Sequence, residues 1–386
     1  MRVLMVSDVY FPRVNGVSTA IDTYQRTLEQ DGVEVRLIAP DYGNADGENW
    51  IERIAARAVP RDPEDRLMRW NALNRATLEA ARHADLIHVQ TPFLAHYASM
   101  RATRQLRLPV MVTYHTLFEE YFKHYAPMLP GAMLRGIARA FSRAQCNDTS
   151  AVIVPSRAIH QRLLDYGVTA TMHILPTGVP LSRFSSGDRA RFRSAHGIAE
   201  NRLVALYVGR VAHEKNLDYL LDVAAQTRQS VPDFLLVIAG EGPALPHLQQ
   251  RVAQEGLTDS VQFIGYLDRA QALPDCYASA DAFVFASRTE TQGLVLLEAM
   301  AMGLPVVALA AMGTVDILEN AGGAITPPDN VADFSACLAG LLLDDGCRIT
   351  LAQEAREYAK QWDERVLGQR MAQLYRETIE QVARNR

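Results

Sequence analysis

The sequence predicts an α/β protein built from two doubly wound domains. Three observations carry this. Short runs that are apolar throughout recur along the chain, amphipathic helical patterns separate them, and the runs fall into two sets. Strands buried between two helix layers must be apolar on both faces, and a repeated strand–helix rhythm is the mark of a parallel sheet. A length of 386 residues agrees, because a single core rarely grows past roughly 250–300 residues before a chain divides.

The first set of runs is Val3–Val6, Val35–Ala39, Leu86–Val89, Val110–Thr113, Val152–Val154 and His173–Leu175. The second is Leu203–Val208, Leu235–Ala239, Val261–Ile264, Ala282–Phe285, Val306–Leu309 and Gly323–Ile325. Asn216–Gln229 is typical of the intervening helices, with Leu217, Tyr219, Leu220, Leu221 and Val223 as its apolar set. Between the sets, Pro176–Asp188 lapses into Pro, Gly and Ser, which puts the domain boundary there, with residues 1–180 before it and 181–364 after it. A final helical pattern, Arg365–Ala383, carries Leu367, Met371, Leu374, Tyr375 and Ile379 as a packing stripe.

Composition narrows the function. At 48% hydrophobic and 22% charged residues the chain is globular, and a net charge of −5 argues against a nucleic-acid partner. No run approaches the roughly 20 apolar residues needed to cross a bilayer. Val3–Val6 is too short for a signal peptide. Cys146, Cys276, Cys337 and Cys347 form no C-x-x-C pair, so a reducing cytoplasm is expected rather than a disulfide or cysteine–zinc framework.

Doubly wound sheets bind ligands at the carboxyl ends of their strands, so the residues after each strand come next. Neither domain carries G-x-G-x-x-G, which weakens a hydride-transfer reading. After the first strand, Asn15-Gly16 and Ser18 open a helix, either as a plain tight turn or as an anion site made of backbone N–H groups. After Leu203–Val208 come Arg210 and Lys215, which are two solvated loop cations or the ligands of a diphosphate. After Ala282–Phe285 comes Ser287-Arg-Thr-Glu290-Thr-Gln292-Gly293-Leu294-Val-Leu-Leu-Glu298. Gly293 allows close backbone approach, and the N–H groups of Gln292–Leu294 at a helix start favour negative charge. Glu298, among Leu296, Leu297, Ala299 and Met300, needs a partner, and a ribose diol is one.

The pair Glu290 and Glu298, eight positions apart, with Arg210 and Lys215 upstream, resembles the retaining GT-B glycosyltransferases of family 4. Gly16, Thr113-Tyr-His115, Pro155-Ser156, Pro176-Thr-Gly178, Gly240-Glu-Gly242, Phe263-Ile-Gly265 and Gly303-Leu-Pro305 agree in order, so the resemblance covers nearly the whole chain. It implies two Rossmann-like domains facing a central cleft, with residues 365–386 crossing back to the first domain and Trp362 anchoring the crossing. It further implies that Arg210 and Lys215 hold the diphosphate, Glu298 the ribose, and Glu290 with the Gln292–Leu294 backbone the sugar hydroxyls. His115 would face the reacting sugar and Gly16 would let the first loop approach the phosphates. The family brings no metal and no cofactor to the chemistry, and the sequence offers no D-x-D pair. Two departures stand out. Asn15-Gly16 replaces a glycine pair, and Met312-Gly313-Thr-Val-Asp316 replaces Gly-Gly-x-x-Glu.

Acceptors in this fold belong to the first domain. There Arg135, Arg139 and Arg143 recur every four residues, with Met133, Leu134, Ile137 and Phe141 on the helix's other faces and Lys123 inside the aromatic run Phe118–Tyr125. Such a stripe is an ordinary solvated face or a surface for an anionic membrane. The expectation is transfer of a hexosyl unit, from a UDP-sugar for preference, to a membrane lipid or glycolipid on the inner face of the cytoplasmic membrane. The alternatives are a soluble sugar acceptor, an epimerase or hydrolase on the same fold, and a non-catalytic nucleotide-sugar binder.

Overall fold

The computed structural model describes residues 1–13, 15–43, 48–59, 62–115 and 131–384. The chain divides into two compact units, one made of Met1–Gly178 and Glu364–Arg386, the other of Val179–Asp363.

The first unit runs β1 (Arg2–Val6), α1 (Gly16–Gln30), β2 (Glu34–Pro40), β3 (Ile51–Ile54), β4 (Ala56–Val59), β5 (Asp62–Met68) and α2 (Trp70–Ala81). It continues with β6 (Leu86–Val89), α3 (Leu94–Leu106), β7 (Val110–Thr113), α4 (Gly131–Asn147), β8 (Ala151–Val154), α5 (Arg157–Asp165) and β9 (Met172–Ile174). Among the described residues its main sheet has the order β3-β2-β1-β6-β7-β8-β9, and every pairing is parallel. β1, β6, β7 and β8 are buried almost throughout, as the two-sided apolar runs require.

The second unit runs α6 (Arg189–Ala195), β10 (Leu203–Val208), α7 (Leu217–Ser230), β11 (Phe234–Ala239), α8 (Leu245–Gln254), β12 (Val261–Gly265) and α9 (Ala272–Ser279). Then come β13 (Ala282–Phe285), α10 (Leu294–Ala301), β14 (Val306–Ala308), α11 (Thr314–Leu318), β15 (Ala324–Ile325), α12 (Val331–Leu343) and α13 (Asp345–Ala359). Its sheet, β12-β11-β10-β13-β14-β15, is also parallel throughout. Each sheet therefore reverses its winding once, between β1 and β6 in one unit and between β10 and β13 in the other. In doubly wound sheets that reversal opens a crevice at the strands' carboxyl ends.

Each run expected to be a strand is one, with ends shifted by about a residue. Three strands were not expected. β3 lies at the sheet edge with one fully buried residue in the polar sequence Ile-Glu-Arg-Ile, and β4 and β5 form an antiparallel hairpin beside it. Edge and hairpin strands need no two-sided apolar pattern, so polarity hid them.

The chain ends in α14 (Glu364–Arg384), which packs on α1 in the first unit. Met371, Ala372 and Tyr375 are fully buried in the core formed by Val3, Met5, Ile21 and Tyr24. Arg26 of α1 pairs with Glu364, and the Tyr375 hydroxyl lies 2.6 Å from Nδ1 of His88 on β6. Trp362 packs partly buried on the second unit's core, and its carbonyl accepts the Val179 N–H at 2.8 Å.

Candidate active site

In the second unit, the loops leaving β10 and β13 meet at the winding reversal. Asn216, in the left-handed conformation at the start of α7, donates from its amide to the Ala286 carbonyl at 3.0 Å and ties the two loops together. This brings Lys215 Nζ to 2.7 Å from Glu290 Oε2, each side chain about four-fifths buried. Burial alone would raise the Glu290 pKa. The Lys215 charge and the backbone N–H groups of Thr291 and Gln292 more than offset it and hold the carboxyl below its ordinary value. Arg210 is exposed at the same strand end, and among the described residues its side chain makes no ion pair.

Gln292 is buried, and Gly293 opens α10 at φ +93°, a conformation that L side chains rarely adopt. No side chain caps α10, so the backbone at Gln292–Leu294 presents the positive end of that helix. The altered Met312-Gly313 segment is seated against this loop. Gly313 N–H donates to the Glu290 carbonyl at 2.9 Å, and a Cβ there would stand 1.8 Å from the Thr291 carbonyl oxygen. Gly313 is thus required, while Met312, at φ +51°, keeps the left-handed backbone without the glycine.

Glu298 has protein partners that the sequence did not reveal. One turn into α10 and 2% exposed, it accepts from Arg269 Nη2 at 2.5 Å and from the Tyr277 hydroxyl at 2.9 Å. The carboxylate that seemed to need a ribose is already satisfied. Arg269 is 29 residues upstream, on the loop between β12 and α9, and no local spacing points to it.

In the first unit, the corresponding reversal carries Asp8 after β1, Gln90 after β6 and His115 after β7. His115 Nε2 lies 3.0 Å from Gln90 Oε1, and burial lowers its pKa to about 4, so the imidazole is neutral at physiological pH. Gln90, itself 1% exposed, follows a strand as every other candidate does, and only its unremarkable residue type concealed it. Asp8 accepts from the Thr91 hydroxyl at 2.7 Å and from the Ala95 N–H, supplying the first turn of α3 with the cap that Phe93 cannot give. Burial raises the Asp8 pKa to about 6 despite these bonds.

Gly16 starts α1. Asn15, which replaces a glycine, is its N-cap, accepting the Ser18 N–H at 2.9 Å from an extended backbone that needs no glycine. A Cβ on Gly16 would meet nothing within 4 Å, so neither packing nor backbone demands a glycine there.

The structure therefore joins Lys215, Glu290, Gln292, Gly293 and Leu294 at one reversal, with Arg210 beside them and Glu298 one turn behind. Gly16 and His115 belong to the other unit. Lys123 and the aromatic run around it lie outside the described residues.

Residues 14–183 match the family model described as Glycosyltransferase Family 4, and residues 188–362 match that described as Glycosyl transferases group 1. An alpha-monoglucosyldiacylglycerol synthase of Streptococcus pneumoniae is 32% identical over 319 residues, 80% of this chain and 71% of that protein. The chain belongs to glycosyltransferase family 4. Sulfoquinovosyl transferase SQD2 of Arabidopsis thaliana is 30% identical to this transferase over 93% of the chain and 70% of the plant protein. Among solved structures, Anabaena HepE in complex with UDP shares the fold at a TM-score of 0.77 and 20% identity, covering 98% of the transferase and all of HepE. The two parallel sheets and the return of α14 to the first unit are those of the GT-B fold.

Arg135, Arg139 and Arg143 are all exposed, as the stripe predicts. Leu134 is buried, but Met133 and Ile137 are 45% and 46% exposed rather than part of a core face. Arg139 lies over the Tyr166 ring, 5.6 Å from its centroid. Among the described residues no helix of the transferase is long and apolar enough to cross a membrane.

Proposed function

We propose that this transferase moves a hexosyl unit from a nucleotide diphosphate sugar, with UDP favoured as the nucleotide, to a hydroxyl of a membrane lipid or glycolipid, with retention of anomeric configuration. The observation that carries the reading is the Lys215–Glu290 pair beside Arg210 at the winding reversal of the second unit. Residues 181–364 take the donor, and residues 1–180 with 365–386 take the acceptor. Arg210 and Lys215 stabilise the diphosphate as it leaves, in place of a metal. Glu290 and the Gln292–Leu294 backbone fix the sugar hydroxyls, Glu298 receives the ribose, and Gly16 admits the phosphates to the first loop. His115 meets the reacting sugar as a neutral hydrogen-bonding group. The acceptor oxygen bonds to the anomeric carbon on the face from which the diphosphate departs, and the departing phosphate oxygen takes the acceptor's proton. Relatives named for a glucosylated diacylglycerol support the lipid acceptor.

The test separates the two acids. Glu298→Gln should chiefly weaken UDP binding, since a ribose contact is equal in ground and transition states, while Glu290→Gln should chiefly lower turnover with UDP binding nearly intact. Titration calorimetry beside initial rates reads both. The reverse pattern exchanges the roles, and no UDP binding by the wild type removes the favoured donor.

The membrane assignment rests on the exposed Arg135, Arg139 and Arg143, with Met133 and Ile137 beside them as apolar contacts for a bilayer surface. Each basic residue near an anionic surface contributes on the order of 1 kcal/mol, so three change binding by about two decades. The protein should sediment with anionic liposomes at low salt and release as salt rises, and changing all three to Gln should abolish this. Sedimentation that the triple change leaves untouched would favour the soluble acceptor.

A further inference from the structure

We infer that Gln90 is a positioning residue for the transfer, its amide oxygen fixing the His115 ring and the nitrogen that carries the ring proton. This rests on the reading of His115 as the group that meets the reacting sugar. β6 and β7 are neighbours in the first sheet, with Val89 opposite Val112, so Gln90 and His115 leave adjacent carboxyl ends. His115 Nε2 and Gln90 Oε1 are 3.0 Å apart. An amide oxygen only accepts, so the ring proton sits on Nε2. The other end of that amide makes no bond. Gln90 is 1% exposed, and its Nε2 has no hydrogen-bond partner among the described residues. A buried donor without a partner is costly, and a leucine or methionine would fill the space without that cost. The bond to His115 is what the amide supplies and an apolar side chain cannot.

The amide matters equally for the charge it lacks. A carboxylate at the same place would draw a second proton onto the ring. The resulting imidazolium would oppose the positive charge that grows at the anomeric carbon as the diphosphate departs. Burial lowers the His115 pKa to about 4, and an uncharged partner leaves that effect intact. The titratable groups on the elements around β7 do not work against it. His88 on β6 is fully buried and bonded to Thr113 and Tyr375, and His96 on α3 is 2% exposed, so burial keeps both neutral. Asp8 after β1 is engaged by Thr91 and Ala95, and the Tyr114 hydroxyl by Ser142 at 2.9 Å. The arginines of α3 and α4 are exposed, and β8 carries no titratable side chain.

The experiment follows the histidine rings by NMR in the full chain with isotopically labelled histidine, after circular dichroism has established folding. It compares wild type, Gln90→Leu and Gln90→Glu, and His115→Ala identifies the His115 signals by their absence. Wild type should carry the His115 proton on Nε2 and stay neutral above about pH 5. Gln90→Leu should give the averaged signals of a ring that exchanges its proton between two nitrogens. Gln90→Glu should keep the proton on Nε2 and raise the pKa to about 6 or higher, a value that belongs to the coupled pair. It also serves if the leucine variant does not fold. Turnover of UDP-glucose with diacylglycerol in anionic vesicles is read beside the signals. Gln90→Leu should lower kcat about tenfold to a hundredfold at every pH, with KM for the donor near that of wild type. Gln90→Glu should gain about tenfold between pH 5.5 and 8 and approach the wild-type rate as the ring loses its charge. A residue that only fills space would give neither the pH dependence nor the rescue. Gln90→Leu within about threefold of wild type, or a His115 titration that Gln90→Glu leaves unchanged, overturns the proposal, while lost turnover in His115→Ala still upholds the sugar reading. Full turnover in His115→Ala removes both. If the wild type turns over no UDP-glucose, the ring signals decide alone.

Discussion

Replacing Lys215 by Ala is expected to lower turnover by about a hundredfold to a thousandfold, the usual loss when a group that stabilises developing charge is removed. Two effects combine. The leaving diphosphate loses an ammonium group, and Glu290 loses the cation 2.7 Å away that offsets its burial. The Glu290 pKa should then rise, so the residual activity should depend on pH where that of the wild type does not. Arg210→Ala should cost a comparable rate. Because the Arg210 side chain is exposed and makes no ion pair among the described residues, its loss should leave the melting temperature unchanged, whereas Lys215→Ala should lower it. Initial rates beside thermal melts distinguish the two. Activity within about threefold of wild type in either variant would remove the cationic account of leaving-group stabilisation.

Acid should destabilise the first unit steeply. Burial lowers the His88 pKa to about 3 and the His96 pKa to about 4, and both side chains are at most 2% exposed. An unfolded histidine takes its proton near pH 6.5, so below that value the unfolded state binds more protons than the folded one. The stabilisation is complete above about pH 6.5 and is lost toward pH 4, at roughly 1.4 kcal/mol per pH unit for each histidine. Asp8 acts in the opposite direction. Its folded pKa of about 6 lies above an aspartate's ordinary 3.8, so acidification from pH 6 to 4 favours folding at that site. One histidine is offset and the other remains, with His115 adding to it. A net loss on the order of 5 kcal/mol between pH 6.5 and 4.5 follows, against total stabilities of about 5–15 kcal/mol. Urea midpoints at pH 7, 5.5 and 4.5 should fall in that order, and Asp8→Asn should steepen the fall. A flat midpoint across the range would mean that these histidines are not buried as described.

Whatever depended on local pattern was legible in the sequence. Leu86–Val89 or Phe234–Ala239 cannot be apolar on both faces unless helices cover both, and a run of such strands leaves few folds. Lys215, Glu290 and Gly293 were legible for the same reason, since each lies in the segment between a strand's carboxyl end and the next helix. What stayed hidden was tertiary. Arg269 reaches Glu298 across the loop between β12 and α9, and the pairing depends on how that loop folds rather than on any spacing. Ile137 is apolar on a helix, yet a helix face is buried only where a neighbour covers it, and spacing does not show which faces are covered. Asn15 stood out as a departure from a glycine pair in the first loop, and its side chain caps α1.

The return of α14 to the first unit governs the order in which the protein can mature on the ribosome. Every residue of the second unit is synthesised between Gly178 and Glu364, so the first sheet leaves the ribosome without the Met371, Ala372 and Tyr375 that complete its core. At about 5–20 residues per second, roughly 200 residues take on the order of ten to forty seconds. For that interval the face of α1 that α14 covers is an open apolar surface on a nascent chain, and His88 lacks its Tyr375 hydroxyl. A chain terminated early, anywhere before Glu364, would keep that surface permanently and become a client of chaperones and proteases, even though most of both sheets had been made.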